Sequence, residues 1–242
     1  MKVTIIGWYG TETIGDRAIL AGIFSFFSKI SPIVDFYLGS LYPFFTERTI
    51  KEDCHFWEKI TGKNVNITLF NSKRRRELVS YIKLSNLVVM GGGPLMDVDE
   101  LYLIEYAFKK SKHLGKKTAL LGCGIGPLFK FEYKMRLIEI IKNSDLIILR
   151  DSQSKVNLLS IFNEFNEYID VDKIFFSFDP AVECCIKFNH FYEKKQNEYI
   201  AVNLRSFPKE YSSAYLNFDD INRKLEKFIF DLSKKFSIRR FG

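Results

Sequence analysis

Six apolar runs in this chain stop abruptly at loops rich in Gly, Pro, Asp or Arg. They end at Gly7-Trp8-Tyr9-Gly10, Gly91-Gly92-Gly93-Pro94, Gly122-Cys123-Gly124-Ile125-Gly126-Pro127, Arg150-Asp151-Ser152, Asp179-Pro180-Ala181 and Asn203-Leu204-Arg205. Short apolar strands alternating with amphipathic helices bury both faces of a sheet, and that selects a parallel α/β architecture. In such a sheet the strands' carboxyl ends share one edge, and ligands bind in the crevice outside it. Glycines there admit close backbone approach, and the helices that follow present their positive ends. The special residues are therefore expected to converge on one anion-friendly crevice.

Periodicity predicts strands at 2–7, 34–38, 65–70, 87–90, 118–121, 146–149 and 174–178. Helices are predicted at 16–30, 74–84, 100–113 and 132–142, with a further one capped by Asp151 or Ser152 and running to Phe162. Pro43 opens a helical or loop segment that runs to residue 60, and residues 163–173 read as irregular. The fold class is thus α/β, a Rossmann-like parallel sheet with helices on both faces, over residues 1–188. Residues 189–198 are polar and charged and read as a linker. Residues 199–242 then supply a strand, a helix carrying Phe218, Ile221, Leu225, Phe228, Ile229, Leu232 and Phe236, and a strand fragment. So few elements cannot enclose a core, so this second α/β domain is expected to be incomplete.

With 242 residues, 47% of them hydrophobic, the chain can bury a sizeable core. A net charge of +7 suits anionic small molecules, nucleic acid or an anionic membrane surface. No zinc-finger spacing, RNP-like string or basic heptad is found, so nucleic acid is not expected as a partner. The run Lys73-Arg74-Arg75-Arg76 reads first as a solvated helix face, with a membrane-surface patch as its alternative, and so permits peripheral membrane contact. The four cysteines, Cys54, Cys123, Cys184 and Cys185, lack CxxC or metal spacing. A reduced, cytoplasmic chain with no metal site is expected, with Cys184 and Cys185 as buried small apolar residues. The apolar N-terminus is a first strand rather than a signal peptide, and no apolar stretch approaches the about 20 residues of a membrane span.

Arg150 is the leading anion ligand, because a guanidinium at a strand end beside a helix start can grip carboxylate or phosphate with two parallel bonds. Its plain reading is an ion pair with Asp151 or a neighbouring loop. Arg205 is the corresponding candidate in the second domain. Gly91, Gly92 and Gly93 suit either a tight turn or the lining of a crevice, and Gly10, Gly124 and Gly126 belong to similar loops. The P-loop pattern is absent, and Gly7 to Gly10 lacks GxGxxG spacing, which counts against nucleotide hydrolysis and dinucleotide chemistry. Asp16 suits an N-cap or a sugar-hydroxyl ligand, and Asp97 a catalytic base, an acceptor clamp or a structural cap. Trp8 and Tyr9 suit stacking on a sugar ring or packing, and Asp179 suits turn initiation. His113 reads as a helix-end cation, while His55 and the linker residue His190 receive no role.

Several strings together carry a resemblance. They are Gly7-Trp8-Tyr9-Gly10 with Ile14-Gly15-Asp16-Arg17-Ala18-Ile19-Leu20, Val89-Met90-Gly91-Gly92-Gly93-Pro94-Leu95-Met96-Asp97, and Gly124-Ile125-Gly126-Pro127-Leu128. Leu149-Arg150-Asp151-Ser152-Gln153-Ser154, Asp179-Pro180-Ala181 and Val202-Asn203-Leu204-Arg205 continue the series. In this order, and over nearly the whole chain, they resemble the polysaccharide pyruvyl transferase family. The resemblance implies a two-domain, glycosyltransferase-B-like fold. It implies transfer of the enolpyruvyl-derived group of phosphoenolpyruvate onto two sugar hydroxyls, giving a pyruvate ketal on a cell-surface glycan or its lipid-linked precursor. No metal or nicotinamide is implied; the cysteines point to a cytoplasmic setting, and the basic run permits peripheral contact at the inner face of the membrane. Arg150 would then bind phosphoenolpyruvate and the glycine loops would shape the cleft.

One departure bears on catalysis. The family carries an Arg-x-His signature in its second domain, with a catalytic role for the His, and none of His55, His113 and His190 sits in such a string. That segment is expected beyond Gly242, and a chain ending there would be inactive in ketal formation. The rival expectations are a glycosyltransferase using a nucleotide-sugar donor and a non-catalytic member of the family.

Overall fold

The computed structural model describes residues 1–11, 13–191, 200–202, 218–236 and 238–240. It divides into a compact unit Met1–Tyr192 and a second unit Glu193–Gly242. The first is built on strands β1 (Lys2–Ile6), β2 (Asp35–Ser40), β3 (Asn66–Asn71), β4 (Leu87–Gly91), β5 (Pro94–Leu95), β6 (Lys117–Ile125), β7 (Leu146–Leu149) and β8 (Ile174–Phe176). They pair in parallel in the order β3-β2-β1-β4-β6-β7-β8, with the short β5 alongside β6. Helices α1 (Ile14–Ile30), α2 (Pro43–Thr61), α3 (Arg75–Leu84), α4 (Leu101–His113), α5 (Phe131–Lys142), α6 (Ser152–Glu164) and α7 (Ala181–Phe191) follow in turn.

The apolar strands explain the parallel sheet. Successive residues of a strand point to opposite faces, and here each face has its own core. Val3, Ile5 and Val89 join Phe24 and Phe27 of α1, Trp57 of α2 and Cys184 of α7. Ile6, Val88 and Met90 join Leu78 of α3, Phe108 of α4, Leu137 of α5 and Phe162 of α6. Strand order reverses between β1 and β4, so the chain winds outward in both directions from that point. Such a switch point leaves a gap between two loops at the carboxyl edge.

The structure corrects several expectations. The glycine segment from Gly122 to Ile125 lies within β6, with a bulge between Leu121 and Cys123, because β5 and β7 both pair along it. The segment opened by Pro43 is one continuous helix that ends at Gly62, whose φ of 70° is open to glycine. Helix α7 was not expected. It takes up Asn189, His190 and Phe191 from the presumed linker. Its sequence carries a weak amphipathic signal, and its place is set by tertiary contacts. The Asp179 carboxylate accepts the Ala181 amide at its start (3.0 Å), and Glu183 accepts from Ser25 (2.8 Å) and Lys29 (2.7 Å) of α1. On that helix Cys184 is buried but its neighbour Cys185 is exposed, since adjacent helical residues face different directions.

The second unit contains β9 (Ile200–Val202), α8 (Phe218–Ser233) and β10 (Ile238–Arg240). Its strands pair in parallel, with Ile238 opposite Ile200.

At Gly22, helix α1 packs closely against Pro180, in the loop that leads into α7. A Cβ built there would stand 1.8 Å from the Pro180 carbonyl oxygen, whereas one on Gly15 would meet nothing within 4 Å. Gly22→Ala is therefore expected to destabilise the unit by about 3 kcal/mol. Gly15→Ala should be neutral or stabilising by up to roughly 1 kcal/mol. Urea unfolding of both variants checks this, and coincident midpoints would refute the seam between α1 and the segment leading into α7.

Candidate active site at the carboxyl edge of the sheet

The gap at the switch point is filled by the protein itself. The Tyr9 hydroxyl donates to the Gly91 carbonyl (2.8 Å) and the Trp8 indole N–H to the Pro94 carbonyl (3.1 Å). Burial, reinforced by Asp16, holds the Tyr9 phenol well above its ordinary pKa. Gly91, Gly92 and Gly93 are all buried. Cβ atoms on them would lie 2.5 Å from Ile23, 2.5 Å from Ile19 and 2.7 Å from Trp8, respectively. The triple glycine thus lets α1 and Trp8 close over the end of β4. Tyr9 is core and Trp8 half-buried packing. Gly10, at φ 102°, turns the same loop against β2, where a side chain would meet Ser40 at 2.6 Å.

Asp16 is not the N-cap of α1. Thr13 is, and its hydroxyl oxygen accepts the Asp16 amide (3.2 Å). The Asp16 carboxylate in turn accepts from the hydroxyls of Thr11 (2.9 Å) and Thr13 (2.5 Å), a reciprocal capping arrangement. Asp97 accepts the amides of Phe129 (3.0 Å) and Lys130 (3.2 Å), and its own amide donates to Pro127 (3.3 Å). It clamps the loop after β5 to the loop before α5, which is the structural-cap reading.

Arg150 stands where the sequence pattern places it. Its amide donates to Cys123 of β6 (3.1 Å), and its guanidinium lies over Gly124, where a Cβ would be 2.8 Å from Nε. Nη1 meets Asp179 at 3.2 Å and Nε meets Asp151 at 3.5 Å, with a third of the side chain exposed. Pro180 packs on Gly122 from the same side, 2.5 Å from where its Cβ would be. The ends of β6, β7 and β8 therefore gather on one guanidinium. Two aspartates, Asp151 and Asp179, thus share the charge of this guanidinium. Beside Asp179 opens a cavity of about 230 Å³, lined largely by apolar side chains, among them Phe26, Leu121, Ile148 and Phe178.

Two residues that the sequence reading did not single out hold this rim. Ser154 Oγ accepts the buried Ile125 amide (3.0 Å), and Asn157 Nδ2 donates to the Ile125 carbonyl (2.7 Å). Ser154 is fixed in turn by Asp151, which caps α6 by accepting its amide (2.6 Å). Burial raises the Asp151 carboxyl pKa, but the bonds from Ser154 and the charge of Arg150 outweigh it and hold the group below its ordinary value. The spacing of three from Asp151 to Ser154 was the available signal, and Asn157 had none. Gly126, just beyond, donates to Leu95 (2.8 Å) and faces the Asn157 amide. Arg205 lies outside the described residues. His55 is exposed beside Glu58, His113 ends α4 and His190 is in the last turn of α7. Among the described residues no three His, Cys, Asp or Glu come together as a metal-ligand set.

A family model described as polysaccharide pyruvyl transferase matches residues 14–241. A search of curated proteins finds no match to the chain. Among solved structures, the chain is similar to a Listeria monocytogenes protein assigned as UDP-N-acetylglucosamine 2-epimerase, with TM-score 0.52 and 12% identity over 84% of this chain and 52% of that one. A UDP-GlcNAc 2-epimerase from Neisseria meningitidis, bound to UDP-GlcNAc, gives 0.48 and 11% over 84% and 57%. The lipopolysaccharide outer core galactosyltransferase WaaB in its apo form gives 0.44 and 16% over 72% and 44%. The chain spans about half the length of these structures, and the likeness to the first is one of fold.

Two outcomes test the rim. Ser154→Ala leaves a buried amide without its acceptor and should cost about 2 kcal/mol in chemical unfolding. Burial pushes the Cys123 thiol up to about 12, whereas Cys185 is exposed. At pH 8, alkylation followed by peptide mass mapping should mark Cys185 and spare Cys123 until the protein is unfolded. Equal labelling of the two in the native state would contradict the packing of β6.

Proposed function

The chain belongs to the polysaccharide pyruvyl transferase family, and on that premise we propose that it acts in transfer of a pyruvyl group from phosphoenolpyruvate to a saccharide. The acceptor is a cell-surface polysaccharide or its lipid-linked precursor, and the product is a pyruvate ketal made on the cytoplasmic side of the membrane. The observation that carries this reading is the family match across residues 14–241. The guanidinium of Arg150, held over Gly124 at the carboxyl edge, supports it with a cation of the right kind.

In this reading Arg150 binds the carboxylate or phosphate of phosphoenolpyruvate through its planar fork. Asp179 and Asp151 hold the fork before the donor arrives and yield to it. The methylene carbon takes a proton and becomes a methyl group, and positive charge develops at the central carbon. One sugar hydroxyl adds there and loses its proton. A second then displaces phosphate, breaking the carbon–oxygen bond to it and closing the ketal ring. Charge at that centre is stabilised by fixed dipoles and by exclusion of water. Asp97, occupied by two loop amides, is left as a structural residue. No histidine of this chain stands in an Arg-x-His string, so protonation of the methylene is assigned to no residue here.

Thermal shift with phosphoenolpyruvate, beside UDP- and GDP-sugars, tests the reading. Phosphoenolpyruvate should stabilise the protein, and Arg150→Ala should weaken its binding by roughly 10- to 100-fold with little change in the unliganded melting temperature. Arg150→Lys should recover only part, because the two-pronged contact is lost. Stabilisation by a nucleotide sugar with none by phosphoenolpyruvate would replace this reading with a nucleotide-sugar glycosyltransferase.

A further inference from the structure

Away from Arg150, the same edge of the sheet carries a surface that packing does not explain. The loops after β2 and β3 are neighbours, joined where the Ser72 amide donates to the Ser40 carbonyl (2.9 Å). The first presents Tyr42, and the opening turn of α2 adds Phe44 and Phe45; the three are exposed by 47%, 78% and 41%. The ring of Phe45 contacts both others, at centroid distances of 6.5 and 5.5 Å. The second loop brings Lys73, whose ammonium sits 4.1 Å over the Tyr42 ring and fastens the basic run to the aromatic one. Arg74, Arg75 and Arg76 follow, all exposed, at the start of α3.

Charge makes the placement unusual. A helix N-terminus is positive, so cations there oppose the peptide dipoles and lower the stability of the fold. Glu77 meets Arg74 (3.0 Å) and Glu100 approaches Lys73 (3.7 Å), and Glu47 lies exposed on α2. Arg75 lies over the Tyr106 ring. Among the described residues neither Arg75 nor Arg76 has an acidic partner within ion-pair distance. The folded unit thus maintains excess positive charge beside three exposed aromatic rings, at some cost to itself. Aromatic rings settle at the headgroup level of a bilayer, and clustered Lys and Arg are drawn to anionic lipid.

We propose that this edge docks on the surface of an anionic bilayer, with Tyr42, Phe44 and Phe45 among the headgroups and the cations that open α3 facing lipid phosphates. Docking there presents the carboxyl edge, the edge on which Arg150 lies, to the membrane plane. The proposal rests on this surface and is independent of the transfer chemistry. Among the described residues no helix is long and apolar enough to cross a membrane; the contact proposed is a surface one.

Co-sedimentation of the full chain with vesicles tests it. Vesicles of phosphatidylcholine with phosphatidylglycerol should capture the protein, phosphatidylcholine alone should not, and capture should fall as salt rises. Arg75→Glu with Arg76→Glu should lower partitioning by about tenfold or more. Phe44→Ser with Phe45→Ser should lower it on the same vesicles with circular dichroism and melting temperature unchanged, since these side chains are exposed. Equal binding to both vesicle types, or binding untouched by either pair of substitutions, would overturn the proposal. Capture by a soluble acidic polysaccharide with none by the vesicles would also overturn it.

Discussion

The site depends on backbone approaching backbone and side chain at distances that a Cβ would forbid. Gly22 admits the Pro180 carbonyl, Gly91 to Gly93 admit Ile23, Ile19 and Trp8, and Gly124 admits the guanidinium of Arg150. Each contact draws a loop of the carboxyl edge onto an element beside it. Glycine was expected at these loops as a way of letting a ligand close to the main chain. At the switch point it instead lets the protein's own aromatic side chains fill the gap, and only at Gly124 does it place a charged group at a partly exposed rim.

That displacement moves the centre of interest away from the switch point. The strand order reverses at β1 and β4, yet the guanidinium lies over the end of β6, and its partners come from the loops after β7 and β8. The electrostatics are those of one cation shared between two carboxylates. Two aspartates keep Arg150 extended across Gly124, and one of them also caps α6. The capping oxygen of Asp151 takes the Ser154 amide, and its other oxygen stands 3.5 Å from Arg150 Nε.

The two ends of the carboxyl edge differ in their make-up. The β6–β8 end concentrates one guanidinium among acids, and the β2–β3 end spreads cations and aromatic rings over an exposed surface. The parallel sheet makes this possible, because it delivers every strand end to the same side whatever the order of strands.

The alternation of apolar runs with helical spacing determined the parallel sheet, the helices on both faces and the shared edge, since those follow from local periodicity alone. It also placed Arg150 at a strand end and Asp151 at a helix cap, positions set within a few residues. Tertiary structure alone decided the rest. Helix α7 forms from a weakly patterned segment because α1 offers Ser25, Lys29 and Gly22 to it. The glycines of β6 became strand because β5 and β7 lie on either side to receive their hydrogen bonds. Asp97, Ser154 and Asn157 took their roles from partners 29 to 32 residues away. Which polar group meets which across tens of residues depends on the closed sheet, and no local pattern in the chain records it.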